Sequence, residues 1–244
     1  MHGRCLMNWF EQVWSRVLPD SGVALSGPPV VVVLVLALVA VTVDPLWRVL
    51  RLAVTLVHEL GHAGVGVLVG RRFTGFVLRG DMSGHAVTVG PARGAGRVLT
   101  TWAGYPAPAA VGALAACLAV RGWAAPVLTG ILAVLVMAAL RVRSALTAVV
   151  VLVALVGAGA LWWTGAPQLQ AQVVVAVGLV LIVGAWRHLG AVIATPDPAV
   201  SDPGVLARLT RVPRGLWNGT FVLVLAGATW LAGSAVLDAS GVLG

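Results

Sequence analysis

Apolar positions in this chain come in long, nearly uncharged blocks rather than in alternation with polar ones. Residues 21–43 carry no charge, with Val30–Val43 as the apolar core, and Asp44-Pro45 then predicts a break. The second block, Leu46–Gly70, differs from the rest. It holds Arg48 and Arg51 near its start and His58, Glu59 and His62 in its middle. Val98–Val120 is charge-free, with Tyr105-Pro106 and Pro108 in its first half, and Gly122–Leu140 follows. Ser144–Trp186 is charge-free throughout and too long for one crossing, so Gly165-Ala166-Pro167 predicts a division into two. Gly215–Leu237 is the last block. A helix needs about 20 mostly apolar residues to cross a bilayer, and these blocks predict about seven spans.

Between the blocks the pattern changes. Residues 71–96 contain short, β-branched, partly alternating stretches, FTGFVLRG and GHAVTVG, separated by Gly, Asp and Ser. They predict a β-hairpin at the membrane surface. Residues 1–27 place Trp9, Phe10, Val13, Trp14 and Val17 at helical spacing beside Glu11 and Arg16, an amphipathic segment suited to the interface. Residues 187–214, with prolines at 196, 198, 203 and 213, predict a polar loop. The expected fold is therefore an all-α polytopic membrane protein of about seven transmembrane helices, with a short membrane-surface β-hairpin after the second. Residues 28–240 form its single domain.

Composition agrees with a bilayer as solvent. Hydrophobic residues make up 59% and charged residues only 10%, with a mean hydropathy of +0.99, where soluble domains average roughly 25% charged. The net charge of +8 is carried by arginine alone. No basic patch is interleaved with aromatics, so a nucleic-acid partner is not expected. With seven spans, Arg48, Arg51 and Arg121 fall on one side and every other arginine on the side of the N-terminus. The positive-inside rule then predicts a cytoplasmic N-terminus, hairpin and 187–214 loop. Trp162, Trp163 and Trp217 near span ends suggest an aromatic belt. Cys5 and Cys117 suggest neither a disulfide framework nor a cysteine metal site, and no signal peptide is evident.

His58-Glu59-Leu60-Gly61-His62 is the chemical centre of the sequence. Helical positions i and i+4 share a face, so both imidazoles can reach one ion. Glu59, one position on, can hold a water and take its proton; HExxH on a helix reads as two zinc ligands and a general base. A shuffled chain of this composition would produce the motif on the order of once in a thousand. Ionisable groups in mid-span are costly, which favours a site over a pair of merely satisfied core histidines.

A catalytic zinc usually has three protein ligands and one open position. Most acidic residues lie at the termini, at the end of the first block or in the hairpin turn. Asp202 and Asp197 remain, both in the loop before the last span, with His85 and His188 as further alternatives. Ser201-Asp202-Pro203-Gly204 also looks like a helix start, where Asp202 could serve only as an N-cap.

HELGH in the second block, Gly104-Tyr105-Pro106 early in the third and Ser201-Asp202 before the last resemble the site-2 protease family of intramembrane zinc metalloproteases. The likeness is to its small, hairpin-bearing bacterial branch and covers most of residues 30–235. It implies Zn2+ held by His58, His62 and Asp202, with Glu59 as the catalytic residue. It also implies a transmembrane protein substrate and a bacterial plasma membrane. Asp202 precedes Pro203, where better-studied members have Gly. The competing expectation is a non-proteolytic, zinc-binding membrane scaffold of the same fold. A transporter is disfavoured because the other blocks are nearly bare of charge.

Overall fold

The computed structural model describes residues 11, 13–14, 16–20, 28–194 and 201–240, with side chains in the first helix described from residue 32 onward. Most of the predicted N-terminal segment and Asp197 lie outside these residues. The chain is mainly helical: α1 (Pro28–Thr42), α2 (Asp44–Leu68), β1 (Arg72–Leu78), β2 (Gly84–Val89), α3 (Ala95–Trp102), α4 (Pro106–Ala119), α5 (Ala124–Ala139), α6 (Ala145–Thr164), α7 (Pro167–Ala194), α8 (Asp202–Thr210) and α9 (Arg214–Ser240).

The expected seven spans are not confirmed. Among the described residues three helices, α6, α7 and α9, are long and apolar enough to cross a membrane, or up to five if each bent pair counts as one span. Two bends account for much of the difference. At Val43 the chain turns by 95° between α1 and α2, where Pro45 fits the first helical turn but bars continuation from α1. At residues 103–105 it turns by 62° between α3 and α4, ahead of Pro106. Helix α5 has 16 residues, about 24 Å at 1.5 Å per residue, short of a bilayer core of about 30 Å. The arginine asymmetry presupposed seven crossings, so the cytoplasmic placement of the N-terminus does not follow from this architecture. Among its described residues the polar segment at 187–214 is largely helical: α7 continues to Ala194, and α8 occupies Asp202–Thr210.

Helix α7 is the central post. Its buried residues recur from Gln170 to Val192, and it packs on α1, α4, α5 and α9. Lipid tails are as apolar as leucine, so helices associate in a bilayer by close packing of small residues. Helix α4 supplies them, burying Ala109, Gly112, Ala113, Ala116 and Ala119. Gly112 faces Gly178 so closely that a Cβ on either would meet the other's carbonyl oxygen. At the α6–α7 elbow, buried Gln170 holds its Nε2 3.2 Å from the carbonyls of Leu161, Trp162 and Gly165, satisfying the end of α6.

The hairpin forms as predicted, antiparallel from Arg72↔Val89 to Leu78↔Gly84, with a bulge between Phe73 and Gly75. Its β1 edge is fixed to the start of α6. Phe76 exchanges backbone bonds with Arg141 and Arg143, the Leu78 N–H donates to Thr147 Oγ1, and the Arg143 guanidinium donates to the Thr74 carbonyl. The turn is tied to α2 by the Thr55 hydroxyl, 3.1 Å from the Met82 carbonyl. Trp162 and Trp217, expected in an aromatic belt, donate to the Thr129 and Thr210 hydroxyls.

The Gly112–Gly178 contact yields a test. Gly112→Val is expected to destabilise the protein by about 1–3 kcal/mol through overpacking, read as a lowered thermal midpoint in detergent. Gly130→Val, at a glycine with open space around its Cβ position, is expected to leave the midpoint unchanged.

Candidate metal centre

Helix α2 is amphipathic in an unusual sense: its polar stripe faces protein. Arg51, Thr55, His58, Glu59 and His62 follow helical spacing and all line one cavity of about 410 Å3. The opposite walls come from β2, from the α3–α4 elbow, from the end of α7 and from the start of α8.

Asp202 enters from α8, and its Oδ2 lies 3.1 Å from His58 Nε2 and 3.1 Å from His62 Nε2. The two Nε2 atoms are 3.0 Å apart. Among the described residues, these three are the group of histidine, cysteine and acidic side chains that could hold a metal ion, with ligand atoms within 4.8 Å of one another. The sequence left Asp202 open between ligand and helix cap. In the structure Ser201 is the cap, its hydroxyl accepting the Gly204 N–H, and Asp202 occupies the first helical position with its carboxylate turned to the histidines. Pro203 follows at no cost, because the first turn of a helix needs no donor there. Helix α8 is held in place by Leu206, fully buried among Leu189, Phe221 and Leu225.

The donor set fits a metal. A ligand triangle with edges of about 3 Å is close to one face of a tetrahedron around zinc, whose edges are about 3.3 Å for bonds near 2.05 Å. The histidine orientation also suits: His62 Nδ1 lies 2.7 Å from the Thr100 carbonyl, which can only accept, so Nδ1 carries a proton and Nε2 is the nitrogen turned to the cluster. His58 is held edge-on by the Tyr105 ring, centroids 4.8 Å apart, and Tyr105 in turn stacks on Phe221.

Glu59 is buried beside the cluster, and the hairpin closes over it. Gly84 at the start of β2 makes this approach possible, since a Cβ there would stand 2.5 Å from Glu59 Oε1. Gly104 does the same for the imidazoles: a Cβ would clash with ring atoms of His62 and come within 2.6 Å of His58 Nε2. Gly61 brings α2 against the elbow, where a Cβ would stand 2.9 Å from the Ala103 carbonyl oxygen. Gly104 was visible in the sequence as part of a motif, but its steric role was not. Gly84 gave no signal beyond a strand-initial glycine. Thr55 and Arg51 could have been found by extending the HExxH face two turns toward the N-terminus. His85 and His188, the alternative ligands, line the same cavity without joining the three-residue group.

A folded membrane chain with a partly buried two-histidine, one-carboxylate cluster and an adjacent buried glutamate defines a class: an integral membrane protein of metallopeptidase type. The family comparison agrees. The Peptidase M50B-like family model matches residues 31–232, and the chain belongs to that family, which is site-2 protease-like. No curated protein and no solved structure matches the chain.

Gly104→Val retains all three donors and their burial. It is expected to abolish stoichiometric divalent-metal binding, measured by elemental analysis of the purified protein, because the new side chain would occupy the space of the two imidazoles.

Proposed function

We propose that this protein is a zinc-dependent intramembrane endopeptidase that hydrolyses a peptide bond in or near a transmembrane segment of another membrane protein. The observation that carries the reading is the convergence of His58, His62 and Asp202 beside buried Glu59. His58, His62 and Asp202 would hold the zinc ion. A zinc ion in such a site lowers the pKa of bound water to about 7 and polarises a carbonyl.

The remaining chemistry belongs to the chain itself. Glu59 accepts the proton of the attacking water on a carboxylate oxygen and returns it to the departing amine nitrogen. Its burial under Gly84 keeps bulk water from competing for that proton. Thr100 holds the His62 ring in the productive orientation throughout. Substrate helices hide their peptide bonds in i to i−4 hydrogen bonds, so the segment to be cut must unwind. The sheet has two strands, with the outer edge of β1 occupied by residues 141–143, and no third strand covers β2 among the described residues. Gly84, His85, Ala86 and Thr88 of β2 line the cavity, which supports capture of the unwound segment by strand addition.

The alternative is a scaffold of the same fold that binds zinc without cleaving. Retention of Glu59 in a buried position next to the ligands favours the enzyme, because a scaffold has no use for that costly carboxylate.

Elemental analysis of the detergent-purified protein should find about one zinc per chain, lost in His58→Ala, His62→Ala and Asp202→Ala. Glu59→Gln should keep the zinc and lose cleavage of single-span membrane substrates by at least a hundredfold. Undiminished cleavage by Glu59→Gln would refute the mechanism, and a zinc-free wild type would refute the site.

A further inference from the structure

The cavity contains two polar groups that the proposed chemistry does not use. Arg51 Nε and His188 Nε2 are both buried, and neither has a hydrogen-bond partner. Arg51 is on α2 and His188 on α7, yet both line the same cavity as the histidine–aspartate cluster. They also lie near one another. The His188 ring packs edge-on against Trp47, one turn before Arg51, and both His58 and Arg51 act on His188 electrostatically. No acidic side chain lies within ion-pair distance of Arg51 among the described residues, Glu59 and Asp202 included.

A guanidinium with a buried, unsatisfied N–H in a membrane protein is a liability unless an acceptor arrives. Arginine is permanently charged and matches a carboxylate in geometry. A neutral imidazole with its proton on Nε2 can add a second donor. Two unpartnered donors lining one cavity describe half of an anion site.

Position decides what that site does. From Arg51 to His58 is two turns of helix, about 10 Å along the axis, and helical side chains lean toward the N-terminus, which carries the guanidinium further away. Arg51 is therefore offset along α2 from the cluster rather than level with it. An extended polypeptide advances about 3.3 Å per residue, so the pair stands about three residues along a bound strand from the bond beside Glu59. The hairpin turn roofs this end of the cavity through the Thr55–Met82 contact, which makes it continuous with the groove under β2.

We propose that Arg51 and His188 form a specificity subsite that receives an acidic side chain of the polypeptide substrate, about three residues from the scissile bond. This rests on the endopeptidase reading above. The test uses the full-length protein in detergent in a Glu59→Gln background, so that peptides stay whole. The probes are fluorescent, alanine-rich decapeptides carrying one Asp, or one Asn, at each position in turn, with binding read by anisotropy. Asp at one position is expected to bind about tenfold more tightly than Asn there. Arg51→Gln should erase the difference, Arg51→Glu should reverse it in favour of a Lys-bearing peptide, and His188→Leu should reduce it.

Equal binding of the Asp and Asn series, or equal absence of binding, overturns the subsite. So does a preference that survives Arg51→Gln or that disappears instead in Arg97→Gln, the other arginine lining the cavity. Zinc content of the same preparations separates the two ideas. Full zinc without an Asp preference removes the subsite alone, whereas absent zinc removes the endopeptidase reading.

Discussion

The contact of one Asp202 oxygen with the Nε2 atoms of both His58 and His62, at 3.1 Å each, ties together segments that are far apart in the chain. A carboxylate removed from water costs several kcal/mol unless it is paired and hydrogen-bonded. In this chain the pairing can be met in few ways, because charged residues are only 10% of the total. Helix α8 must therefore be presented to α2 at a fixed depth and angle. Leu206 beneath it, Ser201 at its cap and the packing of α8 on α3 and α9 serve that one requirement.

The same requirement explains where the small residues are. The walls of the site approach one another more closely than side chains would permit. Gly104 admits the two imidazoles, Gly84 admits the Glu59 carboxyl, and Gly61 lets α2 rest on the elbow between α3 and α4. Further away, Gly112 and Gly178 let α4 and α7 meet backbone to backbone, which steadies the frame that carries the site. In a bilayer the hydrophobic effect does not draw helices together, so such close contacts supply much of the association energy. The hairpin is the one β element among the described residues. Its anchored β1 edge and open β2 edge give the cavity a wall that can pair with an incoming strand.

Much of this was legible in the residues. The HExxH spacing identified three cavity residues without reference to any fold, because i and i+4 fall on one helical face whatever surrounds them. Asp44-Pro45 and Gly165-Ala166-Pro167 marked real breaks, since proline forbids helix continuation locally. The hairpin was legible in its β-branched alternation. The number of crossings was not. Hydropathy reports that a segment avoids water, and both a straight span and two helices bent by 95° or 62° satisfy that condition.

What the sequence alone determined is chemistry that depends on local spacing: two imidazoles and a carboxylate on one face of an apolar helix, in a chain too poor in charge for water. What only the tertiary structure decided is everything that depends on separate segments meeting. Asp202 could have been a cap or a partner to the histidines until α8 was seen with Ser201 capping it. Arg51 looked like a flanking charge until its Nε was found buried in the cavity that His188 also lines. Gly84 was a strand-initial glycine and Gly104 part of a short motif until their missing side chains proved to be the space the site occupies. Periodicity along one helix is written in its own residues, but which surfaces come within 3 Å of each other is fixed by packing over the whole chain.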